Sequence, residues 1–139
     1  MKILILCTGN TCRSQMAEGF LKAFDATLQV YSAGTKPETK VNPFAIEVML
    51  EVGIDISRNR PKPVEDFIDK SFDYVITVCD GAKEICPVFT GKVTKRLHIG
   101  FEDPAGATGS DIEKLQVFRE VRNKILLDFF TFYQKQLQS

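Results

Sequence analysis

Ile3-Leu4-Ile5-Leu6-Cys7-Thr8-Gly9-Asn10-Thr11-Cys12-Arg13-Ser14 runs from an apolar block through a polar loop into an amphipathic segment. The four apolar side chains predict a short strand buried on both faces. Met16, Ala17, Phe20, Leu21 and Phe24 then recur at helical spacing and predict a helix over residues 14–24. Cys7 to Ser14 is therefore a strand-to-helix turn at the carboxyl end of a parallel strand, where open α/β sheets bind their ligands. Gly9 and Asn10 are the residue types that best tolerate positive φ, so the turn can curl tightly. A curled backbone entering a helix N-terminus aims several N–H groups at one point and makes a nest for an anion. Arg13 adds a planar fork suited to two oxygens of a tetrahedral oxyanion.

Cys7 sits at the base of this nest, and the positive field that holds an oxyanion also favours a thiolate there at neutral pH. Ser14 is expected to cap the helix and to donate its hydroxyl to the Cys7 sulfur. The candidate oxyanion-binding residues are Thr8, Gly9, Asn10, Thr11, Cys12, Arg13 and Ser14, arranged around Cys7 as nucleophile. The plain alternative is a buried cysteine ending a strand and an arginine on a helix surface. The strand before, the Gly-Asn pair within and Ser14 after all agree against it. The loop lacks the G-x-x-x-x-G-K-[ST] pattern of a nucleotide-binding Walker loop.

The 139 residues are read as one domain, residues 1–139, large enough for a core without staples. Lys plus Arg and Asp plus Glu both number 18, so no basic surface argues for nucleic acid and no charge block for a tail. The N-terminal apolar run is too short for a signal peptide, and no stretch approaches a membrane span. The expected address is the cytoplasm, where thiols stay reduced. Four cysteines there point to chemistry or metal before structural bridges.

Further strands are expected at 28–32, 74–78 and, despite its charges, 92–99. Asn42-Pro43 starts a helix whose buried face is Ala45, Ile46, Met49 and Leu50, and Gly53 stops it. Pro61 and Pro63 enforce a loop, with one or two helical turns after it over 64–69. A short helix follows Cys79 and is broken by Pro87. Ser110 and Glu113 form a capping box that opens a long final helix. Its core stripe is Ile112, Leu115, Phe118, Val121, Ile125, Phe129 and Phe132. This alternation predicts a small open parallel sheet covered on both faces. Cys7 and Cys79 both fall at carboxyl strand ends, hence on one edge of the sheet.

Cys79 and Cys86 are seven residues apart. On a helix they would share a face about 10.5 Å apart along the axis, beyond the roughly 7 Å that a disulfide spans. Gly81 and Pro87 make that segment a poor helix, and unwinding would permit the bond. Two small buried hydrophobes are the alternative. A zinc site from Cys7, Cys12, Cys79 and Cys86 is disfavoured, because only Cys7 and Cys12 are closely spaced and the nest uses both. Asp103-Pro104 lies in a glycine-rich loop, where Asp103 is either a general acid over the nest or an ordinary turn opener. His98, the only histidine, is read as structural or exposed rather than as a catalytic base.

Cys7-x5-Arg13-Ser14 with a late Asp103-Pro104 resembles the low-molecular-weight protein tyrosine phosphatase superfamily, and within it the thioredoxin-coupled arsenate reductases. The likeness extends through Tyr31 to Gly34, Val41 to Pro43, Gly53 to Ser57, Cys79-x6-Cys86-Pro87 and Asp103-Pro104-Ala105, nearly the whole chain. It implies a small four-stranded parallel open sheet flanked by helices on both faces. It implies that Cys7 attacks arsenate held by the loop amides and Arg13, with Asp103 assisting departure of hydroxide. Cys79 then attacks the adduct, arsenite leaves, and Cys86 takes over the disulfide from Cys7. Thioredoxin is the implied reductant, phosphate and sulfate are competing oxyanions, and no cofactor or metal is expected. The alternative is a hydrolase of the same fold that cleaves phosphotyrosine or small phosphoesters with Cys7, Arg13 and Asp103. Such a hydrolase needs neither Cys79 nor Cys86, and Ala105-Gly106 stands where tyrosine phosphatases carry a tyrosine pair. Ile99 replaces an aromatic residue and Gly106 a basic one. Lys62 falls where some relatives place an acidic residue in a potassium site beside Asn10, Glu18 and Ser32, so no potassium dependence is expected.

Overall fold

Ile3, Leu4, Ile5 and Leu6 are fully buried because their strand has a neighbour on each side and a layer on each face. In the computed structural model, which describes residues 1–81 and 86–138, this strand is β1 (Lys2–Cys7). β2 (Gln29–Gly34), β3 (Ser71–Thr77) and β4 (Lys92–His98) complete a parallel sheet in the order β2-β1-β3-β4. β4 is the charged edge strand, and its Lys and Arg side chains stay exposed, as an edge tolerates. β2 continues past the expected residue 32, because Ala33 and Gly34 pair with Leu6 and Cys7.

Alternation along β1 divides the core. Ile3, Ile5 and Cys7 face α1 (Arg13–Phe24), α2 (Pro43–Leu50) and α3 (Asp111–Phe132), with Phe20, Phe118 and Phe129 fully buried between. Leu4 and Leu6 face Phe72 and Val75, covered by the 3₁₀ turn Val64–Phe67 and by Phe89. The four-stranded parallel class holds, with the three α-helices on one face and the 3₁₀ turn on the other. The short helix expected after Cys79 lies outside the described residues.

Two expected faces are corrected. α2 buries Ala45, Val48 and Met49, while Leu50 is 54 % exposed. The stripe therefore lies one position round from the one read, at i, i+3, i+4. Ile112 is 79 % exposed; the stripe begins at Leu115, partly buried against the core, and is buried from Phe118 on. The reason is length: 22 residues of α3 span roughly 33 Å, whereas a six- or seven-residue strand spans roughly 20–23 Å, so the first turns of the helix overhang the sheet. Asn42 caps α2 by accepting from Phe44 N, and Gly53 ends it at φ +80°, both as read. The Ser110–Glu113 capping box opens α3. Among the described residues no helix is long and apolar enough to cross a membrane.

Candidate active site

The loop after β1 is held from outside by its carbonyls. Those of Cys7, Thr8, Gly9 and Thr11 accept from the N–H groups of Thr35, Lys36, Glu38 and Asn42 at 3.0–3.3 Å. The Asn10 carbonyl accepts from Gln15 Nε2 at 3.2 Å. In a trans peptide the N–H points opposite to its C=O. Five consecutive N–H groups, Thr8 to Cys12, therefore turn to the other side of the loop. That side faces a cavity of about 290 Å³ lined by residues 7–13, Lys36, Glu38, Asp103 and Ala105.

Asn10 is the residue that sets the curl. It is the only non-glycine with positive φ among the described residues, at +57°. Its Nδ2 donates to Ser14 Oγ at 2.7 Å and Ser32 Oγ at 3.0 Å, and its Oδ1 accepts from Lys62 N at 3.0 Å and Gln15 Nε2 at 3.2 Å. All four side-chain hydrogen-bonding positions are thus filled, as burial demands. Gly9 does not share the positive φ expected of the pair. A Cβ there would meet only the far end of the exposed Glu38 side chain. Gly34 is different: a Cβ there would collide with the Thr8 carbonyl, so β2 can end against the loop only without a side chain.

α1 begins at Arg13, with Cys12 as N-cap and no side-chain cap. The expected Ser14 cap is therefore corrected. The loop merges into the helix two residues earlier, and the Ser14 hydroxyl is engaged by Asn10 instead. Arg13 is 4 % exposed. Its guanidinium donates to the Phe101 carbonyl at 3.2 Å and lies 3.7 Å from Asp103 Oδ2. Asp103 caps the 3₁₀ turn Pro104–Gly106 through Ala105 N at 3.0 Å and also lines the cavity. The turn and the pocket are thus one arrangement.

Cys7 and Cys12 are both buried, and neither is in a disulfide. Burial pushes the Cys12 thiol up to about 12, against a hydrogen bond to Thr11 that pulls it down, so Cys12 is a neutral wall. Cys79 lies two residues beyond the last β3 pairing, Leu6 with Thr77, on the strand next to Cys7. It forms a disulfide with Cys86, with Cα atoms 5.8 Å apart. That is inside bonding range and far below the ~10.5 Å of two helical turns. Cys79 is fully buried and Cys86 partly exposed.

Two residues escaped the sequence reading. Lys36 and Glu38 line the cavity because the segment after Gly34 runs beside the loop. Nothing local signals this. His98 is exposed, as read, but stands beside the disulfide, with a ring nitrogen within 4.8 Å of both sulfurs. The signal for it was strand order, which places β4 next to β3.

Residues 2–135 match the family model described as low molecular weight phosphotyrosine protein phosphatase. The chain belongs to this phosphatase family. Its relatives within the family include an arsenate reductase of Halalkalibacterium halodurans, 46 % identical over 88 % of each chain, and one of Bacillus subtilis, 45 % identical over the same shares. Among solved structures, an arsenate reductase in its phosphate-binding state aligns with TM-score 0.80 at 36 % identity, covering 96 % of this chain and 97 % of the other. A bacterial tyrosine phosphatase at 20 % identity shares the fold alone.

Two ammonium groups act on Glu18, at the place where some relatives hold potassium. Glu18 Oε2 is taken by Lys22 at 2.8 Å, while the buried Oε1 has no hydrogen-bond partner among the described residues. Lys62 donates to the Arg60 carbonyl at 3.1 Å. Burial lowers the Lys62 pKa and the attraction of Glu18 opposes that shift.

Proposed function

We propose that this protein reduces arsenate to arsenite, with Cys7 as nucleophile and the Cys79–Cys86 pair as the redox relay. The N–H groups of residues 8–12 and Arg13 bind the oxyanion, and phosphate and sulfate compete for the same place. The Cys7 thiolate displaces one arsenate oxygen, which leaves as water after Asp103 supplies a proton. The Cys79 thiolate then attacks the Cys7 sulfur. The S–S bond forms, the S–As electron pair stays on arsenic, and As(V) departs as As(III). The Cys86 thiolate attacks Cys79 and Cys7 leaves as thiolate, ready for the next arsenate. An external dithiol of the thioredoxin type reduces Cys79–Cys86 by attack at Cys86, the more exposed sulfur. Such a cycle belongs to a reducing compartment, the cytoplasm.

The observation that carries this reading is the Cys79–Cys86 disulfide on the sheet edge that also holds Cys7. Hydrolysis of a phosphoester uses Cys7, Arg13 and Asp103 and has no task for that pair. The arsenate reductase relatives support the same choice. The test is arsenate-dependent consumption of reducing equivalents, with and without thioredoxin, beside hydrolysis of an aryl phosphate. Peptide mapping after one equivalent of arsenate is expected to find Cys79–Cys86 in the wild type and Cys7–Cys79 in Cys86→Ser. Free thiols in both, with aryl phosphate hydrolysed, would leave a phosphatase.

A further inference from the structure

The carboxyl edge of the sheet carries a second cluster of ligating atoms outside the Cys7 cavity. Cys79 Sγ, Cys86 Sγ and a ring nitrogen of His98 lie within 4.8 Å of one another. The β3–β4 register sets His98 opposite Thr77, whose Oγ1 is 2.7 Å from His98 Nδ1. The Thr77 hydroxyl donates to the Leu97 carbonyl at 3.5 Å. With that donation made, its oxygen accepts from the ring in the Nδ1–H tautomer, which leaves the Nε2 lone pair for another partner. Gly100 makes room for this ring: a Cβ there would stand 2.8 Å from both Nε2 and the Cys79 carbonyl oxygen. A cavity of about 430 Å³ opens beside the ring, with the carboxylates of Asp80 and Glu102 and the ammonium of Lys124 on its walls.

We propose that the dithiol form of Cys79 and Cys86, together with His98, binds a borderline-soft divalent cation of the zinc type. Two thiolates and one imidazole form a ligand set that zinc accepts, with water in the fourth position. Thr77 is the outer-shell partner that holds the ring in the required tautomer. Each thiol gives up its proton on binding, and the ion takes no electrons. The site is gated by redox state, because the disulfide has no thiolate to offer. While the ion is bound, neither sulfur can attack, so the relay waits until a chelator removes the metal. Metal binding needs only the reduced pair and is tested without arsenate; its effect on the relay rests on the proposed function.

The test uses the full chain, reduced and then freed of excess dithiol without oxygen. It is titrated with Zn²⁺ against a chromophoric chelator, and with Co²⁺ read through thiolate-to-cobalt absorption. Stoichiometric binding is expected in the reduced wild type and none in the disulfide form. Cys86→Ser should abolish it, and Cys7→Ser should leave it unchanged. Thr77→Val should weaken binding about 10–100-fold, and His98→Gln should weaken it further and change the cobalt spectrum. Should His98→Gln not fold, the near-isosteric Thr77→Val tests the imidazole ligand in its place. No binding by the reduced wild type, or an affinity untouched by both His98→Gln and Thr77→Val, overturns the site.

Discussion

At the residue scale, the two cysteines of the loop occupy different surroundings. Cys7 ends a strand where five N–H groups and a guanidinium converge, whereas Cys12 is walled in and its thiol stays protonated to about 12. Iodoacetamide near neutral pH should therefore label Cys7 and spare Cys12 in the folded protein, as read by mass spectrometry. An adduct on Cys12 under those conditions would contradict the assignment. Cys7→Ser is expected to lose all turnover and to retain phosphate binding by calorimetry, since the loop amides and Arg13 are untouched. Asp103 presents a second contrast, because the same carboxylate caps a turn and borders the cavity. Asp103→Asn keeps the capping oxygen and removes the proton. It should cut turnover by about 10²–10⁴-fold with little change in oxyanion affinity. A normal rate across pH would reduce Asp103 to a turn residue.

At the element scale, α3 is fastened to the end of α2 by charge as well as by its aromatic stripe. Arg119 grips Glu51 through two nitrogens at 2.8–3.1 Å, and Arg122 reaches Glu51 Oε1 at 2.7 Å and the Val48 carbonyl at 2.9 Å. The hydrogen bond from Arg119, reinforced by Arg122, lowers the Glu51 carboxyl from 4.5 to about 2. A carboxylate lowered on folding stabilises fully above its unfolded pKa, and that stability is lost as pH falls through the folded value. Glu51→Gln should thus destabilise the protein by about 1 kcal/mol at pH 7, the scale of a partly exposed ion pair. The gap from wild type should close between pH 4.5 and about 2 in denaturant titrations. A pH-independent gap would mean that the side chain acts by packing.

At the scale of the whole molecule, the buried polar network behind the loop is assembled from separate parts of the chain. Asn10 comes from the loop, Glu18 from α1, Ser32 from β2, and Lys62 from the segment before β3. The Lys62 ammonium is drawn to Glu18, and we propose that it stands in for the charge of a monovalent cation there. Replacing potassium by sodium at constant ionic strength should leave rate and oxyanion affinity unchanged. A potassium-specific gain in either would show that the network still admits the ion.

Much was determined locally. The apolar run Ile3 to Leu6, the Asn10 turn, the Asn42 and Ser110 caps and the stop at Gly53 all depend on residues within a few positions of one another. Periodicity and dihedral preference express such information directly. What only tertiary structure decided lies across the crossovers. Arg13 meets the Phe101 carbonyl 88 residues away, Asn10 meets Lys62 52 residues away, and His98 reaches the cysteine pair only because β4 lies against β3. The exposed Ile112 has the same origin, since periodicity names an apolar face but not how far the sheet beneath it extends. No local preference contains those distances. They follow from the order in which four strands pack and from which loops then share the carboxyl edge of one sheet.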